Sequence, residues 1–359
     1  MERVLVAGHV NWDVTLRVDH LPVPDGESTI HGERTGPGGS AANVAAALSQ
    51  LGVDVALYGS VGDDAPGDRI VDALESVGVD CTGVHTVAGC ETSRKYLIVD
   101  DAGAVSVLGN DGANEALGPS AVDDEAVRRA DHVHLTSQRP ETARAFASVA
   151  RRWNRPVSVD PGRRLGDRSY EGTIERADIL FLSGREADAI RRRGTEVPAD
   201  GERTVVVTEG GDGAVQYGPD GSVRHAGFDV SPVDTSGAGD AFAAGYLAER
   251  ARAPTPRALL RFANACGAIA ATTDGTQIEL SRDRVAAVGG QLDERTDGTG
   301  DERTAGPCDH GAGDRSGAHR TGDTDAERPV DFDTDRTSCI DDERQGDVSF
   351  DGGIRDQPR

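Results

Sequence analysis

Runs of aliphatic and β-branched residues alternate with small-residue or amphipathic runs along residues 3–289, and this alternation constrains the fold more than any other feature. Val4–Gly8 reads as a strand and Ala41–Leu51 as a helix of small residues. Val55–Tyr58 and Gly67–Val77 repeat the pair. The pattern resumes with strand His132–Leu135, helix Glu141–Trp153, strands Val157–Asp160 and Ile179–Leu182, helix Glu186–Arg193 and strand Thr204–Thr208. A hairpin, Gly213–Tyr217 with Val223–Ala226, turns at Pro219-Asp220-Gly221, and helices Ala238–Ala251 and Thr255–Thr272 close the body. Strand–helix–strand repetition predicts an α/β fold with a mostly parallel central sheet covered by helices on both faces. Two polar, β-rich segments, about 14–35 and 84–109, do not fit that sheet and predict a small β lid beside it. The second contains the turn signal Asp100-Asp101-Ala102-Gly103.

Composition changes sharply at Gly290. Residues 290–359 hold 19 Asp plus Glu, 9 Arg and 11 Gly, with only seven large aliphatic or Phe residues. So little apolar surface does not offset chain entropy, and the segment is expected to be an acidic disordered tail following a domain of residues 1–289. The whole chain carries 62 acidic against 38 basic residues, a formal charge of -24, and Lys95 is its single lysine. Such a polyanion is expected to avoid nucleic acid and anionic membranes. It matches a salt-rich cytosol, where a Debye length of about 3 Å screens self-repulsion. No apolar run spans a bilayer, and the N-terminal strand lacks the long apolar stretch of a signal peptide. The five cysteines are odd in number and never spaced Cys-x-x-Cys, so the expected setting is a reducing cytoplasm without a zinc module.

The chemistry concentrates in Asp234-Thr235-Ser236-Gly237-Ala238-Gly239-Asp240-Ala241-Phe242, a glycine-rich turn running into a helix. Amides of Gly237, Ala238 and Gly239 at the positive end of the helix dipole form a ready anion site. Asp240, in the first turn, can take a proton from an alcohol attacking a phosphoryl group held there. A lone Gly-x-Gly-Asp is also an ordinary helix cap, so the motif gains its force from company. After the first strand, Gly8-His9-Val10-Asn11-Trp12-Asp13 lacks Gly-x-Gly-x-x-Gly, which excludes a dinucleotide-binding oxidoreductase.

Over nearly all of residues 3–289 the chain resembles the ribokinase (PfkB-type) family of carbohydrate and nucleoside kinases. Asp234 to Asp240 matches its C-terminal signature, and Gly38-Gly39-Ser40-Ala41-Ala42-Asn43-Val44-Ala45 its N-terminal glycine motif. Val61-Gly62-Asp63-Asp64-Ala65-Pro66-Gly67 resembles its linking piece. The resemblance implies a ribokinase-like fold with Asp240 as general base and Gly237, Ala238 and Gly239 as anion hole. It places Asn11, Asp13, Gly38, Gly39 and Asn43 on the sugar, where a carboxylate accepts two hydroxyls at once. Thr208, Gly210 and Gly213, in Thr208-Glu209-Gly210-Gly211-Asp212-Gly213, would line the nucleotide together with Asn264. The family's Asn-x-x-Glu appears as Ser183-Gly184-Arg185-Glu186, which keeps Glu186 for Mg2+ through water and leaves Ser183 a shorter reach toward the nucleotide. Asp234 and Ser236 are the positions for K+ in many relatives.

The implied activity is transfer of the γ-phosphoryl of ATP to the primary hydroxyl of a pentose-type sugar, of the ribose or ribose 1-phosphate class. The alternatives are a nucleoside kinase, a 2-keto-3-deoxygluconate or fructose-type kinase, and a non-catalytic sugar- or nucleotide-binding regulator. No glutamate stands in Leu135-Thr136-Ser137-Gln138-Arg139, where ribose-binding relatives commonly have one. Arg139, Arg163 and the lid pair Arg94-Lys95 are instead candidates to receive an anionic substrate. Exposed lid edges predict a homodimer.

Overall fold

A computed structural model describes residues 2–192, 203–273 and 278–291. The acidic segment lies outside these residues from position 292 onward. Strand β1 (Arg3–Gly8) leads into β2 (Asn11–Val18), β3 (Ile30–Gly38), helix α1 (Ser40–Gln50), β4 (Asp54–Gly62), α2 (Ala65–Ser76) and β5 (Asp80–Val87). There follow β6 (Arg94–Asp100), β7 (Val105–Gly109), α3 (Asp124–Arg129), β8 (His132–Thr136), α4 (Pro140–Arg152), β9 (Val157–Asp160) and α5 (Glu171–Ile174). The body closes with β10 (Ile179–Ser183), α6 (Gly184–Arg192), β11 (Thr204–Thr208), β12 (Ala214–Gly218), β13 (Gly221–His225), α7 (Ala238–Glu249), α8 (Pro256–Ala271) and α9 (Arg282–Gln291).

Nine strands form the main sheet in the order β13-β12-β11-β10-β9-β8-β1-β4-β5. All neighbours are parallel except the β11-β12-β13 meander. Strand alternation divides the interior into two cores. Val4 and Val6 of β1 join Val55 and Leu57 of β4 under α1, α7 and α8. Leu5 and Ala7 face the other way, with Val133 and Leu135 of β8 under Phe146 and Ala147 of α4. A strand buried on both faces shows no polar alternation, which is why these runs read as continuously apolar.

The chain first moves from β1 to β4 and β5 on one side, then crosses to β8 on the other. In such sheets the crevice beyond the carboxyl ends of the strands, where the order reverses, is where ligands bind. Here it opens between β1 and β8.

The second sheet has the order β3-β2-β6-β7. Its limits differ from the sequence expectation in two ways. It begins at Asn11 and reaches Gly38, so Asn11, Asp13 and Gly38 lie in the second sheet itself, while Gly39 and Asn43 stand at the start of α1. Residues 84–87 belong to β5, paired with β4 at the edge of the main sheet, because the lid excursion starts only after that strand ends. The β6-β7 turn forms as expected: Asp100 Oδ1 accepts from the amides of Ala102 and Ala104 at 3.0 and 2.8 Å, and Gly103 takes φ 81°.

Candidate active site

Helix α7 is capped at its start by Gly237, with a φ of 73°, which glycine adopts without strain. Its first intrahelical bond runs from the Ala241 amide to the Gly237 carbonyl at 2.9 Å, leaving the amides before it to other partners. The Ala238 amide lies 3.3 Å from the Thr235 carbonyl, so this donor is shared with the turn, unlike the fully outward amide expected from sequence. Asp240 sits one turn in, half-buried. Its Oδ2 accepts from Asn43 Nδ2 at 2.8 Å, which ties α7 to α1 and joins the two glycine motifs in one site. Burial pushes the Asp240 carboxyl up to about 6, against the pull of Asn43, Ser40 and the Arg163 charge.

Asp13 lies beside it on β2. Burial and the Asp240 charge raise its carboxyl to about 7, with Lys95 opposing. Its buried Oδ1 has no protein partner, as a group waiting for a ligand hydroxyl would have. A Cβ on Gly38 would stand 2.0 Å from Asp13 Oδ2, and one on Gly39 (φ 93°) 2.5 Å from the His9 carbonyl. These two positions therefore need glycine for the chain to pass. Asn11 is buried and its Oδ1 accepts from Asn114 Nδ2. Asn114 Oδ1 in turn accepts from the Val10 amide at 3.0 Å. Strand register puts Lys95 opposite Asp13 and Arg94 opposite Trp12. Lys95 thus shares the Asp13 side, while Arg94 turns toward Asp64 on the other, so only one of the expected cationic pair faces the site.

Gly210 and Gly213 take φ of 59° and 85° around a single 3-10 turn after β11. Thr208 ends β11, its hydroxyl 3.5 Å from the Leu182 carbonyl. Asn264 is buried on α8 with Nδ2 3.1 Å from His225 Nδ1, so in this geometry it pins α8 to β13. Ser183 and Glu186 form a reciprocal capping box at the start of α6. Glu186 Oε2 accepts from the Ser183 amide at 2.8 Å, and Ser183 Oγ from the Glu186 amide at 3.3 Å. The serine therefore fixes the glutamate, a task its hydroxyl performs without the reach of an asparagine. Asp234 Oδ1 accepts from the Ser236 amide at 2.8 Å, and Oδ2 meets Arg34 Nη2 at 3.3 Å.

Two candidates, Asp160 and Glu115, carry no pointer in the sequence. Asp160 closes β9 within the fields of Glu186 and Asp240, and burial with those two charges drives its carboxyl well above the usual range. Glu115, at φ 73°, collects His9, Arg164 and Arg168. Its one sequence cue is the basic run Arg163-Arg164 and Arg168 after β9, which carries no pointer to residue 115.

Comparison with known proteins follows the same lines. Residues 1–283 match the model of the pfkB family carbohydrate kinases. An ATP-dependent ribose-1-phosphate kinase from Halopiger xanaduensis is 54% identical over 299 residues, covering 83% of this chain and 100% of the relative. A nucleoside kinase from Methanothermobacter thermautotrophicus is 30% identical, covering 77% and 92%. The crystal structure of a Thermotoga maritima ribokinase superposes with a TM-score of 0.71 at 25% identity, covering 80% of this chain and 99% of that one.

Proposed function

Because the chain belongs to the pfkB family of carbohydrate kinases, and is therefore a phosphotransferase with an alcohol acceptor, we propose that it phosphorylates the primary hydroxyl of ribose 1-phosphate, using ATP. The observation that carries the chemistry is the Asn43–Asp240 bond, which holds a carboxylate of raised pKa at the mouth of a helix N-terminus. The choice of acceptor is supported by the 54% identity to the Halopiger ribose-1-phosphate kinase over that protein's full length.

In this reading Asp13 and Asn11 hold the sugar hydroxyls from the lid. Asp240, ionised above about pH 6, takes the proton of the attacking hydroxyl. The attack proceeds in line on the γ-phosphoryl, and the developing charge falls on the amides of the Gly237–Gly239 turn. The β2-β6 pair covers the sugar and excludes water, which limits ATP hydrolysis.

Magnesium fits the residues present. The charges of Glu186 and Asp240 both act on the buried Asp160 carboxyl, an arrangement that a cation relieves. Among the described residues no direct ligand cluster of three or more His, Cys, Asp or Glu exists. Mg2+ would accordingly ride on the ATP phosphates, with Glu186 reaching it through water, and would neutralise phosphate charge. Potassium at Asp234 and Ser236 fits less well, since Arg34 already supplies a positive partner to Asp234, and no step here depends on it.

The enzyme is expected to work in a salt-rich cytoplasm as a homodimer joined through the second sheet. Ile30 on edge strand β3 and Val105, Val107 and Leu108 on edge strand β7 are exposed there. Among the described residues no helix is long and apolar enough to cross a membrane. Light scattering in molar KCl that returns the mass of one chain overturns the dimer. For the chemistry the test is Asp240→Asn, expected to lower kcat by about 10²- to 10⁴-fold while ATP binding, read by calorimetry, is retained. Turnover like that of the wild type would remove Asp240 from its role.

A further inference from the structure

Side chains far apart in sequence converge on Glu115, at the β1–β8 end of the crevice. Arg168 Nη1 lies 2.6 Å from its carboxylate, Arg164 Nη1 and His9 Nε2 each 3.2 Å, and Arg139 Nε 3.9 Å. Glu115 itself is one-tenth exposed. Arg164 also reaches Asp111, and Lys95 Nζ approaches the same Asp111 oxygen at 3.7 Å. Four permanent cations, Lys95, Arg139, Arg164 and Arg168, thus face three carboxylates, Glu115, Asp111 and Glu141, which leaves one cation in excess in a chain whose overall charge is -24. Burial keeps His9 below its usual pKa and so neutral. Glu141 holds Arg139 Nε at 2.9 Å, closer than Glu115 does.

The cluster joins the acceptor site through short links. Glu115 follows Asn114, which bonds Asn11, and His9 precedes the same strand. Lys95 stands in register with Asp13. The four cations are each between about a fifth and a third exposed, open enough to be reached and dry enough to act strongly. An excess of positive charge in that setting is completed by an anion.

We propose that this cluster is the pocket for the phosphate already carried by the acceptor, with Arg139, Arg164 and Lys95 binding it and Glu115 and Arg168 positioning them. The proposal rests on the sugar-phosphate reading above and adds where the second phosphate sits. The sugar then lies across Asn11 and Asp13, its hydroxymethyl toward Asp240 and its phosphate toward Glu115. Arg163, exposed and acting on Asp240, belongs to the other end.

The experiment measures kcat and KM for ribose 1-phosphate and for ribose in the full chain and in Arg139→Gln and Arg164→Gln, in molar KCl with saturating MgATP. Thermal unfolding and ATP binding verify the fold. Arg139→Gln leaves Glu115 its other three partners, so it retains the hub even if Arg164→Gln does not. Each variant is expected to raise KM for ribose 1-phosphate by about 10- to 100-fold, the loss of one charge-assisted contact, and to shrink the preference over ribose. A wild-type preference for ribose 1-phosphate that folded Arg139→Gln retains in full overturns the pocket alone. A wild-type enzyme with no such preference overturns the acceptor reading and the pocket together.

Discussion

Removing the Asn43 amide tests the catalytic assignment more sharply than removing the carboxylate. Asn43 Nδ2 donates to Asp240 Oδ2 at 2.8 Å, and that bond favours the ionised form. A hydrogen bond to a charged group contributes roughly 1.5–3 kcal/mol, or about one to two pKa units at 1.36 kcal/mol per unit. Asp240 is half-buried and water replaces part of the lost bond, so about one unit is the expected shift for Asn43→Ala. The sign is fixed by the chemistry. A general base works as the carboxylate, so kcat is present above its pKa and is lost as pH falls through it. The acid limb should therefore move from about 6 to about 7. At pH 6 the ionised fraction drops from about one half to about one tenth, while at pH 9 it stays near one. The assay is kcat at saturating sugar across pH 5–9; an effect of Asn43 on sugar binding falls on KM and leaves that comparison intact. Asp13 titrates in the same window, so the limb belongs to the pair, and repeating the series in Asp13→Asn assigns the shift. An acid limb that does not move, or moves downward, refutes the assignment of Asp240 as base.

Two other outcomes follow from packing and charge. Gly38→Ala places a Cβ 2.0 Å from Asp13 Oδ2 and should raise KM for the sugar by about tenfold or more while ATP affinity holds. Unchanged sugar KM would show that the β2-β3 contact yields freely. Raising KCl from about 0.1 to 3 M should raise the melting temperature, because a net charge of -24 repels itself less as screening grows. A flat melting temperature would break the link between acidity and salt.

Most elements were legible in the sequence because their signals are local. Period and turn chemistry placed β1, α1, α7, α8, the β12-β13 hairpin and the β6-β7 turn within a few residues of where they stand. The glycine motifs and Asp240 were legible for the same reason: a positive-φ turn before a helix leaves few choices of residue. β2 begins three residues ahead of the expected lid segment of about 14–35, because only His9 and Val10 separate it from β1. The charged hub around Glu115 was not legible at all. Its members come from positions 9, 95, 111, 139, 164 and 168, and only topology brings β6 and the ends of β1, β8 and β9 together. Asn264 and Ser183 show the converse. Their types were read as ligand contacts, and the structure gives each a definite task inside the protein, on His225 and on Glu186.

The placement of Asn11 and Asp13 on a lid strand has a consequence for how such an enzyme diversifies. Had the cover been a separate flap, its sequence could drift without touching acceptor choice. Here β2 is one continuous piece of chain leading from the first core strand to the rim, paired with the strand that bears Lys95. Exchanging residues 11–38 and 94–109 with those of a relative would move Asn11, Asp13 and Lys95 as one cassette, while Arg139 and Arg164, beyond β8 and β9, stayed behind, so the exchange would divide the proposed hydroxyl contacts from most of the proposed phosphate contacts.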